Sequence, residues 1–116
     1  MPFWRRSRRA DDVISRQQAM NRQTWEQLKT HGVDEGTPLR LEFFYEAPSR
    51  SGADELAEFL RRERSYEVQA GPDMVTGWTQ PMSVTLEVLD TWVEWMVRAG
   101  DEHGRCEFDG WGAQVP

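Results

Sequence analysis

The chain has 116 residues, of which 29% are charged and 38% are hydrophobic, a balance typical of one globular domain and unlike that of a disordered chain. Its net charge of −6 disfavours general nucleic-acid binding, because an acidic body repels phosphates. The single cysteine, Cys106, excludes an internal disulfide and favours a reducing, cytoplasmic compartment, and no apolar run approaches the roughly 20 residues that span a bilayer.

The chain begins with a cluster of positive charge. Four arginines fall within the first nine residues and no acid accompanies them, which predicts a basic flexible arm over residues 1–10 and a single domain over residues 11–116. No apolar stretch follows the arginines, so we do not expect a secretory signal. The arm is the part of the sequence whose charge favours contact with a nucleic acid or a membrane surface.

The first two predicted elements are a helix and a strand. Residues 11–31 contain no glycine or proline and are followed by Gly32, which predicts a helix that ends there. Residues 38–47 alternate between apolar and mostly polar side chains, the period-two pattern of a strand with one buried face. The apolar row of this strand is Leu39, Leu41, Phe43 and Tyr45.

Two further helices and three further strands follow. They are a helix over 52–64 capped by Ser51, a strand over 66–70, a strand over 74–82 that Pro81 confines to an edge or a bulge, a helix over 86–100 capped by Thr85, and a strand over 105–115. After the first helix the order is β-α-β-β-α-β. This order predicts an α+β ferredoxin-like plait, a four-stranded antiparallel sheet with two helices on one face and an extra N-terminal helix.

The third predicted helix is apolar over a wider arc than burial on a sheet requires. At about 100° per residue its apolar side covers about 200°, against roughly 100–140° for an ordinary surface helix. We expect the N-terminal helix to cover the surplus through Trp25 and Leu28, and an oligomer or partner contact is the alternative. The surplus lies on one flank, which is formed by Val88, Trp92, Trp95 and Ala99.

The last strand carries aromatic and acidic residues in alternation. If Cys106 and Phe108 point toward the helices, period-two alternation points Glu107, Asp109 and Trp111 toward the opposite face of the sheet. The glycines on each side of Trp111 either let another backbone approach closely or bend the strand.

A plait covers one sheet face with helices and leaves the other face open. Phe44 lies opposite the apolar row of its own strand, so Phe44, Trp78 and Trp111 are candidates for the open face. A dimer, a bound peptide or the N-terminal helix would cover such aromatic side chains, and partial burial is the alternative.

Residues 106–113, which read Cys-Glu-Phe-Asp-Gly-Trp-Gly-Ala, resemble the closing strand of the RraB-type family, the regulators of ribonuclease E activity B. A Tyr/Phe-Asp-Gly-Trp-Gly signature marks this strand in the family. Residues 66–68, Tyr-Glu-Val, look like the family's Gly-Tyr-Glu-Val, and residues 32–34, Gly-Val-Asp, lead to the first strand as they do in the family. The resemblance covers residues 11–115 in order.

The resemblance implies a ferredoxin-like fold and a cytosolic, acidic protein without a cofactor. It also implies an activity, because the family binds the non-catalytic C-terminal part of ribonuclease E and modulates messenger-RNA turnover. An acidic surplus is a means of holding an arginine-rich partner.

Catalytic and metal-binding alternatives centre on two residues. His103 and Cys106 have metal-like spacing, but a structural zinc site uses four ligands, and Cys106 suits a buried face as a small apolar residue. Direct RNA binding, with Phe44 and Trp111 as stacking platforms, is disfavoured by the net charge. We therefore expect no catalytic residue, no metal and no cofactor.

The sequence thus predicts a non-catalytic regulatory protein that binds another protein, with ribonuclease E as the candidate partner and no membrane contact. The alternatives are a homodimeric ferredoxin-like domain of another binding role, and a small metal protein or enzyme that uses His103 and Cys106. The candidate partner-binding residues are aromatic or acidic and lie on the sheet or the third helix: Trp111, Asp109, Glu107, Phe44, Trp92 and Trp95.

Overall fold

The computed structural model describes residues 8–115 of the chain. The helix predicted from Asp11 begins at Arg8, so the end of the predicted basic arm belongs to this helix, and residues 1–7 of the arm lie outside the described residues. In chain order the elements are α1 (Arg8–Thr30), β1 (Pro38–Glu46), α2 (Arg50–Arg64), β2 (Glu67–Ala70), β3 (Met74–Trp78), β4 (Met82–Ser83), α3 (Leu86–Glu102) and β5 (Glu107–Gln114).

The caps of α2 and α3 explain where these helices begin. The predicted cap of α2, Ser51, is wrong: Ser49 has extended backbone dihedrals, and its side chain accepts a hydrogen bond from the N–H of Gly52 at 3.0 Å. The cap of α3 is confirmed, because the Thr85 hydroxyl accepts from the N–H of Val88 at 3.1 Å. Each bond satisfies one of the free N–H groups of a first helical turn.

One antiparallel sheet contains all five strands. β1 is central: Phe43 pairs with Gly77 of β3 on one side and with Trp111 of β5 on the other. β2 pairs with β3, and β4 pairs with the first two residues of β1. The predicted mixed α+β class is confirmed.

The strand predicted over residues 74–82 is interrupted at Thr79. The buried Thr79 hydroxyl accepts a hydrogen bond from the N–H of Leu41 at 3.0 Å and donates one to the carbonyl of Gln80 at 2.8 Å. The Thr79 hydroxyl thus accepts the Leu41 N–H in place of a backbone carbonyl. Pro81 has no backbone N–H with which to continue the hydrogen bonding of the strand. The prediction of one continuous strand is wrong, and two shorter strands, β3 and β4, flank the interruption.

The alternating side chains of β1 form the centre of the core, as predicted. The hydroxyl of Tyr45 donates to the carbonyl of Met96 on α3 at 2.7 Å, and burial raises the pKa of Tyr45 well above its ordinary value. This bond joins the sheet to the helix that covers it. The predicted apolar row is at most 1% exposed and consists of Leu39, Leu41, Phe43 and Tyr45.

α1 lies along the polar side of α3 rather than along its apolar flank. Asn21 of α1 donates to the carboxylate of Asp90 at 2.9 Å, and Arg98 of α3 donates to Asp11 at 3.1 Å. The prediction that α1 covers the apolar flank is therefore wrong.

Within residues 8–115, no helix combines the length and the apolar character that crossing a bilayer requires.

The apolar flank of α3 turns toward α2 and the sheet. Trp95 stacks on Phe59 of α2, with 5.9 Å between the ring centroids. Trp92 is 6% exposed and meets Phe108 of β5 edge to face at 6.0 Å. The surplus apolar surface of α3 is thus largely absorbed inside the domain.

Candidate partner-binding surface

A bulge in β5 decides which residues of this strand face the helices. Phe44 of β1 pairs with Gly110, but Tyr45 pairs with Phe108, so Asp109 is an extra residue without a partner on β1. Gly110 has a φ of 150°, a region that glycine adopts more readily than other residues. The extra residue shifts the alternation by one position, and Trp111 comes to lie on the side of the helices.

The prediction that Trp111 points to the open face is therefore wrong. Its indole Nε1 donates to Oδ1 of Asn21 at 2.7 Å, and its ring meets that of Trp92 edge to face at 6.3 Å. Trp92 in turn donates from Nε1 to the hydroxyl of Tyr66 at 3.1 Å. Both indole N–H groups thus have an acceptor within the chain, which a tryptophan turned toward the interior of a domain usually finds.

On the opposite face of the sheet, an aromatic ring and a carboxylate together bind the side chain of Arg40, and we call this arrangement the filled site. The guanidinium of Arg40 lies over the ring of Trp78, 5.1 Å from its centroid, and donates to the carboxylate of Glu67 at 2.8 Å. An aromatic face and a carboxylate thus hold one arginine together, which combines a cation–π contact with a charge-assisted hydrogen bond.

A second aromatic–carboxylate pair on this face is unfilled. Phe44 and Glu42 stand two residues apart on β1 and hence on the same face, about 6.6 Å apart along the strand. Within residues 8–115, neither side chain takes part in a hydrogen bond, ion pair or ring contact. Their neighbours on β5 are Gly110 and Gly112, at each of which an added Cβ would meet no atom within 4 Å. The sheet is therefore bare of side chains between this pair and the edge of β5.

Acidic residues line the beginning of β5 and the end of β1. Glu107 accepts from the Nε of Arg9 at 2.7 Å, and its strand partner Glu46 is exposed. The Asp109 side chain is also exposed, while the Asp109 carbonyl accepts from Gln17 at 3.4 Å. The structure thus brings Phe44, Glu107 and Asp109, three of the predicted site residues, to the same part of the sheet.

Trp95 lies apart from these residues, on the helical side of the molecule. The guanidinium of Arg64 covers its ring at 4.0 Å from the centroid. Trp95 and the exposed Val88 border a shallow cleft of about 370 Å³. The sequence-predicted residues therefore fall into three groups: the sheet face, the helical side, and the inward-facing pair of the buried Trp92 and the partly buried Trp111.

The environment of Cys106 and His103 does not favour a nucleophile. Cys106 is 3% exposed, and burial, with a smaller contribution from Glu55, raises the pKa of its thiol to about 11. The thiol is therefore protonated at neutral pH. His103 stacks on Phe59 at 3.7 Å between centroids. Among residues 8–115, no three histidine, cysteine, aspartate or glutamate side chains are grouped so as to hold a metal.

Two residues that matter here were not predicted from the sequence. Glu42 belongs to the sheet face, and Asn21 of α1 holds Trp111 behind it. The period-two pattern places Glu42 on the polar side of the first strand, and its position two residues from Phe44 is the signal that pairs them. Asn21, which is 0% exposed, carries no signal that distinguishes it from the other polar residues of α1.

The chain matches a family of known proteins. The model of the family described as RraB, regulator of ribonuclease activity B, matches residues 18–113. This range includes the Phe-Asp-Gly-Trp-Gly segment on which the resemblance rests. No curated protein gives a significant match.

Proposed function

The chain belongs to the RraB family, the regulators of ribonuclease activity B, and from that membership we propose that it regulates a ribonuclease by binding the enzyme, without catalysing a reaction itself. The partner that we propose is a ribonuclease E-type enzyme, through its non-catalytic part. The observation that carries the proposal is the family match over residues 18–113, which include α2, α3 and nearly the whole sheet.

The charge of the sheet face supports a protein partner. Glu42, Glu46 and Asp109 are acidic residues for which the described part of the chain supplies no ion pair. Such a surface attracts basic segments and repels RNA. The chain would therefore act on the enzyme and not on its RNA substrate.

The binding residues that we propose are those of the sheet face. Phe44, Glu107 and Asp109 contact the partner directly, whereas Trp111 and Trp92 hold β5 and α3 in place from inside. Trp95, half-buried beneath Arg64, contributes from the helical side only if the partner reaches around the domain.

We also propose that the domain is a ferredoxin-like plait located in the cytoplasm. The antiparallel order β2-β3-β1, with β5 on the free side of β1 and the contact between α2 and α3 on one face, supports this arrangement.

The test uses the purified 116-residue chain and two forms of ribonuclease E, the whole enzyme and its catalytic half alone. We expect saturable binding to the whole enzyme and a lower rate of RNA cleavage, and no effect on the catalytic half. Unchanged cleavage together with no binding to either form would overturn the proposal. Binding that disappears after nuclease treatment would show that the chain binds RNA and not the enzyme itself.

A further inference from the structure

The outer edge of β5 presents backbone groups that no neighbour takes up. Thr79 donates to the carbonyl of Leu41 at 2.9 Å, and Ala47 donates to that of Asp73 at 2.8 Å, so the odd-numbered residues of β1 direct their N–H and C=O groups toward β3. Trp111 and Ala113 stand opposite odd-numbered residues. In an antiparallel ladder such residues point their own backbone groups away from the partner strand.

The N–H and C=O groups of Trp111 and Ala113 therefore face outward. Within residues 8–115, no backbone or side-chain group bonds to them from outside the sheet. An unpaired edge of this kind accepts an additional strand.

α1 lies beside this edge of the sheet. Gln17 reaches the carbonyl of Asp109 at 3.4 Å, and Met20, about one helical turn further along, is 55% exposed. A flexible, exposed methionine suits contact with apolar side chains of varied shape. A strand added to β5 would thus turn one of its faces toward the side of α1 and the other toward the open side of the sheet.

On the open side, Gly110 and Gly112 leave a passage across β5. An added strand would lie about 4.8 Å from β5, and β1 lies the same distance beyond. A long side chain could cross the two glycines and reach Phe44 and Glu42. Gly112 has an ordinary backbone conformation and open space at its Cβ position, so the fold itself does not require glycine there.

The filled site of Trp78 and Glu67 on the same face indicates which long side chain Phe44 and Glu42 can bind. Trp78 and Glu67 hold the guanidinium of Arg40, and Phe44 with Glu42 offers the same combination of an aromatic face and a carboxylate. Arginine is the residue whose planar cation stacks on a ring and bonds a carboxylate at once.

We propose that the partner supplies an extended, arginine-bearing segment that adds as a strand to the edge of β5 and lays one arginine across Gly112 onto Phe44 and Glu42. This inference rests on the proposed function in that the partner is a protein. The surrounding acids, Glu46 and Asp109, favour a segment of net positive charge.

The probe is a labelled peptide, Thr-Val-Arg-Val-Arg-Val-Thr, whose arginines fall on one face of a strand and whose valines fall on the other. We expect saturable binding to the full chain and slower hydrogen exchange at the amides of Trp111 and Ala113 in the complex. Gly112→Val, which closes the passage, and Phe44→Leu, which removes the ring, should each weaken binding by about fivefold or more.

Two matched controls separate binding from folding. Gln69→Val places the same side chain on the same face but on β2, at the far edge of the sheet, and should leave peptide affinity unchanged. Gly112→Val should unfold at the temperature of the natural chain or above it, because strands favour valine. A peptide with citrulline in place of arginine, or with N-methyl groups on its pairing edge, should bind at least about tenfold more weakly.

Equal peptide affinity in Gly112→Val and the natural chain would overturn the inference. So would a single-stranded RNA oligonucleotide that binds with the same dependence on Phe44, or a dimer in sedimentation that Gly112→Val dissociates. The proposed function is tested separately: if whole ribonuclease E binds the Gly112→Val and natural chains alike, the strand-addition mode fails while the regulatory role stands. If ribonuclease E binds neither, the regulatory role fails whatever the peptide does.

Discussion

The indole Nε1 of Trp111 donates a hydrogen bond of 2.7 Å to Oδ1 of Asn21, which joins the last strand of the sheet to the first helix across 90 residues of sequence. Asn21 is 0% exposed, and its Nδ2 donates to Asp90 on α3. One amide group thus connects α1, α3 and β5, and it binds the indole of Trp111 on the side of β5 to which the bulge directs it.

Replacement of Asn21 should destabilise the domain. In Asn21→Leu the partly buried indole N–H of Trp111 loses its acceptor and Asp90 loses its donor, which costs about 1 kcal/mol or more of unfolding free energy. Urea denaturation followed by tryptophan fluorescence measures this loss. The control is Gln23→Leu, an exposed position on the same helix, where the change should stay within about 0.5 kcal/mol. An unfolding midpoint in Asn21→Leu equal to that of the control would contradict the bridging role.

The contrast between β1 and β5 shows what the sequence could predict. β1 keeps strict alternation, so the buried row from Leu39 to Tyr45 followed from period two alone. The same rule failed on β5 because the bulge at Asp109 inserts one residue. The Asp-Gly pair at 109–110 indicates a bend, but the residue at which alternation changes depends on pairing with β1, which is a tertiary property.

The prediction of what covers the apolar flank of α3 is wrong for a related reason. A helical wheel shows how wide its apolar arc is, but it does not show which neighbour covers each side. Two polar contacts, Asp90 with Asn21 and Arg98 with Asp11, hold α1 on the polar side. Phe59 of α2 meets Trp95 on the other. Polar bridges between partly buried helix faces leave no periodic signal in the sequence.

Two glycines of the sheet should respond in opposite ways to alanine. A Cβ at Gly77 would lie 2.2 Å from the carbonyl oxygen of Glu67 and 2.6 Å from the ring of Phe43. Since neither the strand backbone nor the buried ring can easily move, Gly77→Ala should lower the unfolding free energy by about 1–3 kcal/mol or more.

Gly112→Ala is the matched substitution, because its Cβ meets no atom within 4 Å. Removing a glycine from a strand should leave stability unchanged or raise it by about 0.5–1 kcal/mol. Thermal unfolding of the two variants side by side checks the pair. Comparable destabilisation in both would show that Gly112 has a structural role that its open surroundings do not reveal.

The buried thiol of Cys106 should make the domain less stable in alkali. Its pKa is raised from an ordinary 9.0 to about 11, so between these values the unfolded chain releases the thiol proton while the folded chain keeps it. The contribution to stability is complete below pH 9 and is lost as the pH rises toward 11, with a slope of at most about 1.4 kcal/mol per pH unit.

Guanidinium denaturation at a series of pH values measures this slope. Cys106→Ala removes the thiol and should flatten the dependence of the unfolding free energy on pH between pH 9 and 11. Because burial also raises the pKa of Tyr45, the unfolding free energy should still decline at higher pH. The native thiol should also react slowly with a disulfide reagent at neutral pH. Parallel curves for Cys106→Ala and the natural chain would show that Cys106 does not set the pH dependence.

The acids of the sheet face should set the salt dependence of partner binding. In Glu42→Gln/Glu46→Gln the shape of the surface is kept while two charges are removed, and exposed ion pairs contribute about 0.2–1 kcal/mol each. Affinity for whole ribonuclease E should therefore fall by about two- to thirtyfold at low salt, and the difference should shrink as sodium chloride screens the charges. The control is Glu58→Gln/Glu63→Gln, which removes the same charge from exposed positions of α2. If both pairs weaken binding equally, the attraction comes from net charge alone and the sheet face is not the site of contact.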